Sequence, residues 1–106
     1  MLLSEARRFA LSLAETTESP HHDMSSFRVK GKIYATVPAD GDHLHIFVEE
    51  GELRAAIAEN PAAFEELWWG NRLVGVRVTL SAADPKLVHE LLEEAWGMRK
   101  AMPRRT

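Results

Sequence analysis

Hydrophobic positions along the chain change period several times, and each change marks an element. Leu3, Ala6, Phe9, Ala10 and Leu13 recur at three- and four-residue spacing, which predicts an amphipathic helix over 3–15. "TTESPHHDMSS" breaks that spacing with Pro, Ser and Asp and reads as a loop. "FRVKGKIYATV" alternates instead. Phe27, Val29, Ile33, Ala35 and Val37 share one parity and are placed inward, while Arg28, Lys30, Lys32 and Tyr34 fall on the other face. Because opposed residues share a face, Val29 is expected to meet Ile33 across a loop of Lys30, Gly31 and Lys32. "HLHIFV" predicts a third strand with Leu44, Ile46 and Val48 inward.

"EEGELRAAIAEN" then predicts a short helix burying Leu53, Ala56 and Ile57. Asn60-Pro61 has the form of an N-cap and first-turn proline, so "PAAFEEL" is expected to open a second short helix. Its phase would carry Phe64, Leu67 and Trp68 inward and leave Trp69 partly exposed beside Arg72, with Gly70-Asn71 as the C-cap. "RLVGVRVTL" predicts a strand with Val74, Val76, Val78 and Leu80 inward. Asp84-Pro85 starts a last helix striped by Leu87, Val88, Leu91, Leu92 and Ala95. The expected order is α-β-β-β-α-α-β-α. It describes an α+β, two-layer sandwich with an antiparallel sheet of four to five strands and helices on one face.

Composition narrows the function classes. The 106 residues suit one domain, 1–106, and 45% hydrophobic with 27% charged residues is ordinary globular usage. No apolar run is long enough to span a bilayer, and "MLLSEARRF" is charged too early for a secretory signal, so no membrane association is expected. Zero cysteines removes disulfides, thiolate metal sites and a Cys nucleophile, in keeping with a cytoplasmic location. The net charge of −3 is unlike that of a nucleic-acid coat protein. Its distribution is uneven, however: residues 15–66 carry 11 acidic and 4 basic side chains, and residues 67–106 carry 7 basic and 4 acidic.

Candidate chemistry is sparse. His43 and His45 leave the same face of a predicted strand, but nothing fixes His21, His22 or Asp23 against them, so no metal or other cofactor is expected. There is no GxSxG elbow, HExxH helix or Gly-rich phosphate loop, and the glutamates fall on solvated helix faces; the expectation is no enzyme activity. Arg28, Lys30 and Lys32 form a wing-like basic hairpin suited to phosphates. Trp69 with Arg72 forms a second candidate contact, and Arg99 and Lys100 with Arg104 and Arg105 of the tail a third.

"SFRVKGKIYATV", "NPAAFEELWWGNRLVGVRV" and "LVHELLEEAWGMRKAMP" together resemble the three blocks of the MmcQ/YjbR-like family of small bacterial proteins. The resemblance runs from about Leu3 to Pro103 and rests on block order and the Trp69-Gly70-Asn71-Arg72 junction, not on a catalytic motif. It implies a fold similar to CyaY-like and secretion-chaperone-like domains, and a DNA-binding label by analogy with double-wing domains. Many members of that family have His-Pro just before Ser-Phe; this chain has Met24 and Ser25 there. The expectation is a DNA-binding accessory or regulatory protein making weak, phosphate-mediated contacts through Arg28, Lys30, Lys32, Trp69, Arg72, Arg99 and Lys100. The alternative is a module that pairs with a protein partner. Either would be a monomer or weak dimer.

Overall fold

The structure is a computed structural model describing residues 1–102. Three helices, α1 (Leu3–Ser12), α2 (Glu50–Glu59) and α3 (Pro85–Ala101), pack on a sheet of six strands: β1 (Thr16–His21), β2 (Met24–Val29), β3 (Lys32–Val37), β4 (His43–Ile46), β5 (Phe64–Trp69) and β6 (Arg72–Thr79). The sheet order is β1-β2-β3-β4-β6-β5 and every neighbouring pair is antiparallel. The α+β, two-layer antiparallel design therefore stands, with six strands rather than four to five.

Both additional strands lie at sheet edges. "TTESPH" was expected as loop because of its Pro and Ser, yet it pairs residue for residue with β2 from Thr16↔Val29 to His21↔Met24. An edge strand tolerates Pro20, whose missing N–H can face solvent. "FEELWW" is β5, not a helix. Asn60 closes α2, and instead of capping a new helix its Oδ1 accepts the Asp84 backbone N–H at 3.1 Å, tying the start of α3 to the end of α2. Asp84 does cap α3, accepting from the Lys86 N–H at 3.0 Å ahead of Pro85.

The core is built in cross-strand rows. Leu44, Val78 and Phe64 stand opposite one another, as do Phe27, Ala35, Ile46 and Val76 in the next row, and all are buried. Ala6 and Ala10 of α1, Leu53 and Ala56 of α2, and Val88, Leu91, Leu92 and Ala95 of α3 close over them. The β2–β3 turn departs from the expected register. Lys30 (φ 54°) and Gly31 (φ 78°) form a two-residue turn with both φ positive, the type I′ geometry that matches strand twist, so Val29 opposes Lys32. A bulge opposite Phe27 and Arg28 takes up the odd residue. Tyr34 consequently turns into the core, where its hydroxyl lies 3.1 Å from Thr16 Oγ1 and donates to the Ala10 carbonyl at 3.3 Å. Ile33 moves to the opposite face. The inward placement of Ile33 and outward placement of Tyr34 are thus reversed, while Phe27, Val29, Ala35 and Val37 are buried as expected.

Candidate functional site

Antiparallel connectivity decides which loops are neighbours. β2 ends and β3 begins at the Lys30–Gly31 turn. β4 runs back to that end, and β6 starts there after the Gly70–Asn71 turn. Gly70 has φ 61° at the first central position of its turn, where glycine suits type II′ geometry. Two hairpin turns therefore project from one end of the sheet, flanking Phe47 at the end of β4. The last turn of α3 reaches the same end, with Arg99 Nε donating to the Ile33 carbonyl at 3.0 Å.

The candidate residues divide accordingly. Lys30 is exposed on one turn and Arg72 on the other. Lys32, Trp69 and Arg99 line one groove, and Arg72 lines an adjoining depression that shares Trp69 and Arg99 with it. Arg28 is turned back along the sheet, donating from Nε to Ser26 Oγ at 3.0 Å and from Nη2 to the Pro20 carbonyl at 3.3 Å. Lys100 lies 3.7 Å from Glu15 and 4.8 Å from the centre of the Trp96 ring. Both are engaged within the protein. Arg104 and Arg105 lie outside the described residues. Trp68, expected in the core, is 47% exposed and donates to Glu66 at 3.0 Å; Trp69 is 57% exposed and meets Phe47 edge-on at 5.1 Å. As β5 is an edge strand with a bulge between Leu67 and Trp68, neither tryptophan is carried under a helix.

The groove occupies the sheet face opposite the helices and has a volume of about 560 Å³. Met24, Ile33, Phe47 and Trp69 supply apolar walls, with Met102 at the rim and Thr36 and His45 in the middle. Thr36 and His45 belong to a polar row that crosses the whole sheet, Ser19–Ser26–Thr36–His45–Arg77–Glu65. In it Ser26 donates to the Ser19 carbonyl at 2.7 Å, Thr36 Oγ1 lies 3.4 Å from His45 Nδ1, and Arg77 lies 3.4 Å from Glu65. His43 is taken up separately, at 2.8 Å from Asp40. Among the described residues no group of three or more His, Asp or Glu is arranged to hold a metal ion. No helix among them is long and apolar enough to cross a membrane.

Burial pushes the His45 ring below its ordinary pKa, and the neighbouring Arg77 and His43 add to the effect against a weaker pull from Asp40. The unfolded chain takes a proton near pH 6.5, so it binds more protons than the folded chain just below that value. Stability is accordingly whole above about pH 6.5 and is lost as pH falls towards the folded-state pKa. Glu18 titrates in a separate, more acidic window. Burial raises its pKa, but hydrogen bonds from Arg7 and Ser25 outweigh that and leave it lowered. Urea midpoints should decline as pH falls below about 6.5, and His45→Asn should flatten that decline. Parallel curves for the two proteins would remove His45 from the linkage.

Sequence reasoning missed Phe47, Met24, Ile33, His45 and Met102 as groove residues. Phe47 was within reach, since placing Ile46 and Val48 inward puts Phe47 on the outer face. Ile33 was hidden by the bulge.

The fold is similar to that in the crystal structure of Deinococcus radiodurans protein DR2400, which carries the DUF419 domain, with a TM-score of 0.72 and 21% identity over 89% of this chain and 75% of that one. No curated protein sequence matches the chain. The YjbR family model matches residues 11–98, so the chain belongs to the YjbR family.

Proposed function

We propose that this YjbR-family protein is a non-enzymatic DNA-binding accessory or regulatory protein that contacts phosphates with the basic end of its sheet. The supporting observation is that the topology gathers Lys30, Lys32, Arg72 and Arg99 at one end, next to the exposed Trp69. Five acidic side chains, Glu52, Glu59, Glu90, Glu93 and Glu94, line a cleft between α2 and α3, and Glu49 lies beside Arg72 at the basic end. The middle of α3, with its three glutamates, would be repelled from a groove, so binding relies on phosphate contacts rather than base edges.

Three or four phosphate contacts give a log-affinity against log-salt slope between about −2.7 and −3.6, with non-specific affinity of about 10⁻⁴–10⁻⁶ M at physiological salt. Fluorescence anisotropy with duplex DNA at two salt concentrations measures both. Lys30→Glu/Arg72→Glu, one substitution on each turn, is expected to abolish binding without changing the melting temperature. No binding by the wild type at low salt, or equal binding by the variant, overturns the reading. The competing reading is a protein-interaction module, favoured by the exposure of Trp68 and Trp69 on the edge strand β5. It takes first place if DNA fails.

A further inference from the structure

We infer that the groove on the open face of the sheet is a binding site for a small amphipathic anion: a flat apolar body carrying one carboxylate, sulfonate or phosphate head. This inference does not rest on the DNA reading. The volume, about 560 Å³, falls within the range of small-molecule sites, roughly 300–1,000 Å³. Its walls come from separate strands, with Met24 on β2, Ile33 on β3 and Trp69 on β5, so the site is preformed by the sheet rather than by a loop. Trp69 meets the buried Phe47 edge-on and gives the groove an aromatic wall, and the thioethers of Met24 and Met102 adapt to an aromatic body.

Charge selects the head group. Lys32 and Arg99 both line the groove at the end where α3 crosses β3. Lys32 has one long contact, 3.5 Å to the Met102 carbonyl, which leaves donors of its ammonium for a ligand. Arg99 holds the Ile33 carbonyl through Nε and approaches the Met102 sulfur through Nη1 at 3.6 Å, leaving Nη2. Among the described residues no carboxylate lines this groove. Two cations beside apolar walls complement one anionic head; Glu49 lies with Arg99 in the adjoining depression and not in this groove. In the middle, Thr36 and His45 offer hydrogen bonds rather than a second charge, since burial holds His45 in its neutral form at pH 7.

The probe is 8-anilinonaphthalene-1-sulfonate, titrated into the folded full chain, with N-phenyl-1-naphthylamine as the matched body lacking the sulfonate. Wild type is expected to bind the sulfonate saturably at one site. The neutral probe should bind about tenfold more weakly or worse, the loss expected of a charge-assisted hydrogen bond. Lys32→Met, which breaks no contact with the core, and Trp69→Ala should each weaken the sulfonate by a similar factor with the melting temperature unchanged. Lys32→Met/Arg99→Met should remove binding. The inference is overturned by absence of saturable binding, by equal affinity for the two probes, or by wild-type affinity in Lys32→Met. It is also overturned if sedimentation shows a dimer whose formation excludes the probe, because the groove would then be an interface between copies. Lys30→Glu/Arg72→Glu should bind the probe as wild type does, which separates this site from the DNA reading.

Discussion

Gly75→Ala is expected to be among the most damaging single substitutions in this chain. A Cβ built at Gly75 would fall on the Ile46 carbonyl oxygen and 3.0 Å from the Phe47 Cα. Both obstacles are backbone, so no side chain can swing away. β4 and β6 are hydrogen-bonded neighbours in the middle of the sheet, with Ile46 opposite Val76, and separating them would disturb the row that continues through Ala35 to Phe27. Overpacking of this kind costs on the order of 3 kcal/mol, at the upper end of its usual range. That is a large share of the roughly 5–15 kcal/mol by which a domain is stable. A urea midpoint within error of wild type would mean that β6 shifts past β4 freely. As Phe47 follows β4 directly, a partially folded Gly75→Ala should also lose the edge-on contact between Phe47 and Trp69, read as a change in tryptophan emission.

The elements legible in the sequence are those whose physical signals agree. α3 has a capping Asp84, a first-turn Pro85 and a broad apolar stripe, and all three agree. β4 and β6 alternate because one face is buried and the other is not. The failures occur where two signals compete. In β5 the spacing of Phe64, Leu67 and Trp68 fits a helix face, and Asn60-Pro61 fits a helix start. Yet the strand sits at an edge with a bulge, so its side chains never show clean alternation. In β1 the edge position makes Pro20 acceptable and removes the demand for an apolar face. Such strands are defined by their partners, and a partner's backbone is invisible to local pattern.

The site was half legible for a related reason. Charge and aromatic content singled out Lys32, Trp69, Arg72 and Arg99, and the topology brings those four around adjoining hollows. Arg28 and Lys100 carry the same charge but are consumed by local partners, which composition cannot register. The apolar wall at Ile33 was missed because that residue has the parity of the core positions in sequence. The bulge in the β2–β3 hairpin gives Tyr34 the core position and Ile33 the groove.

The last prediction probes the strand that sequence reasoning misassigned. Phe64 is 2% exposed and stands opposite Val78, which in turn stands opposite Leu44. It is the fully buried side chain of β5; Glu65, Glu66, Trp68 and Trp69 along the same strand are exposed. Phe64→Ala should cost about 3–5 kcal/mol, as expected for a buried phenyl ring whose cavity cannot collapse. A urea midpoint shift worth under about 1 kcal/mol would refute that burial. The consequence for the site is specific. With its anchor gone, β5 is held to β6 by backbone pairing and the Arg77 to Glu65 ion pair, and to α2 by the Arg54 to Glu66 ion pair. Amide exchange along 64–69 should rise before that of β4. Trp69 should then move off Phe47, and groove affinity for the sulfonate probe should fall while Lys32 and Arg99 stay in place at the end of α3.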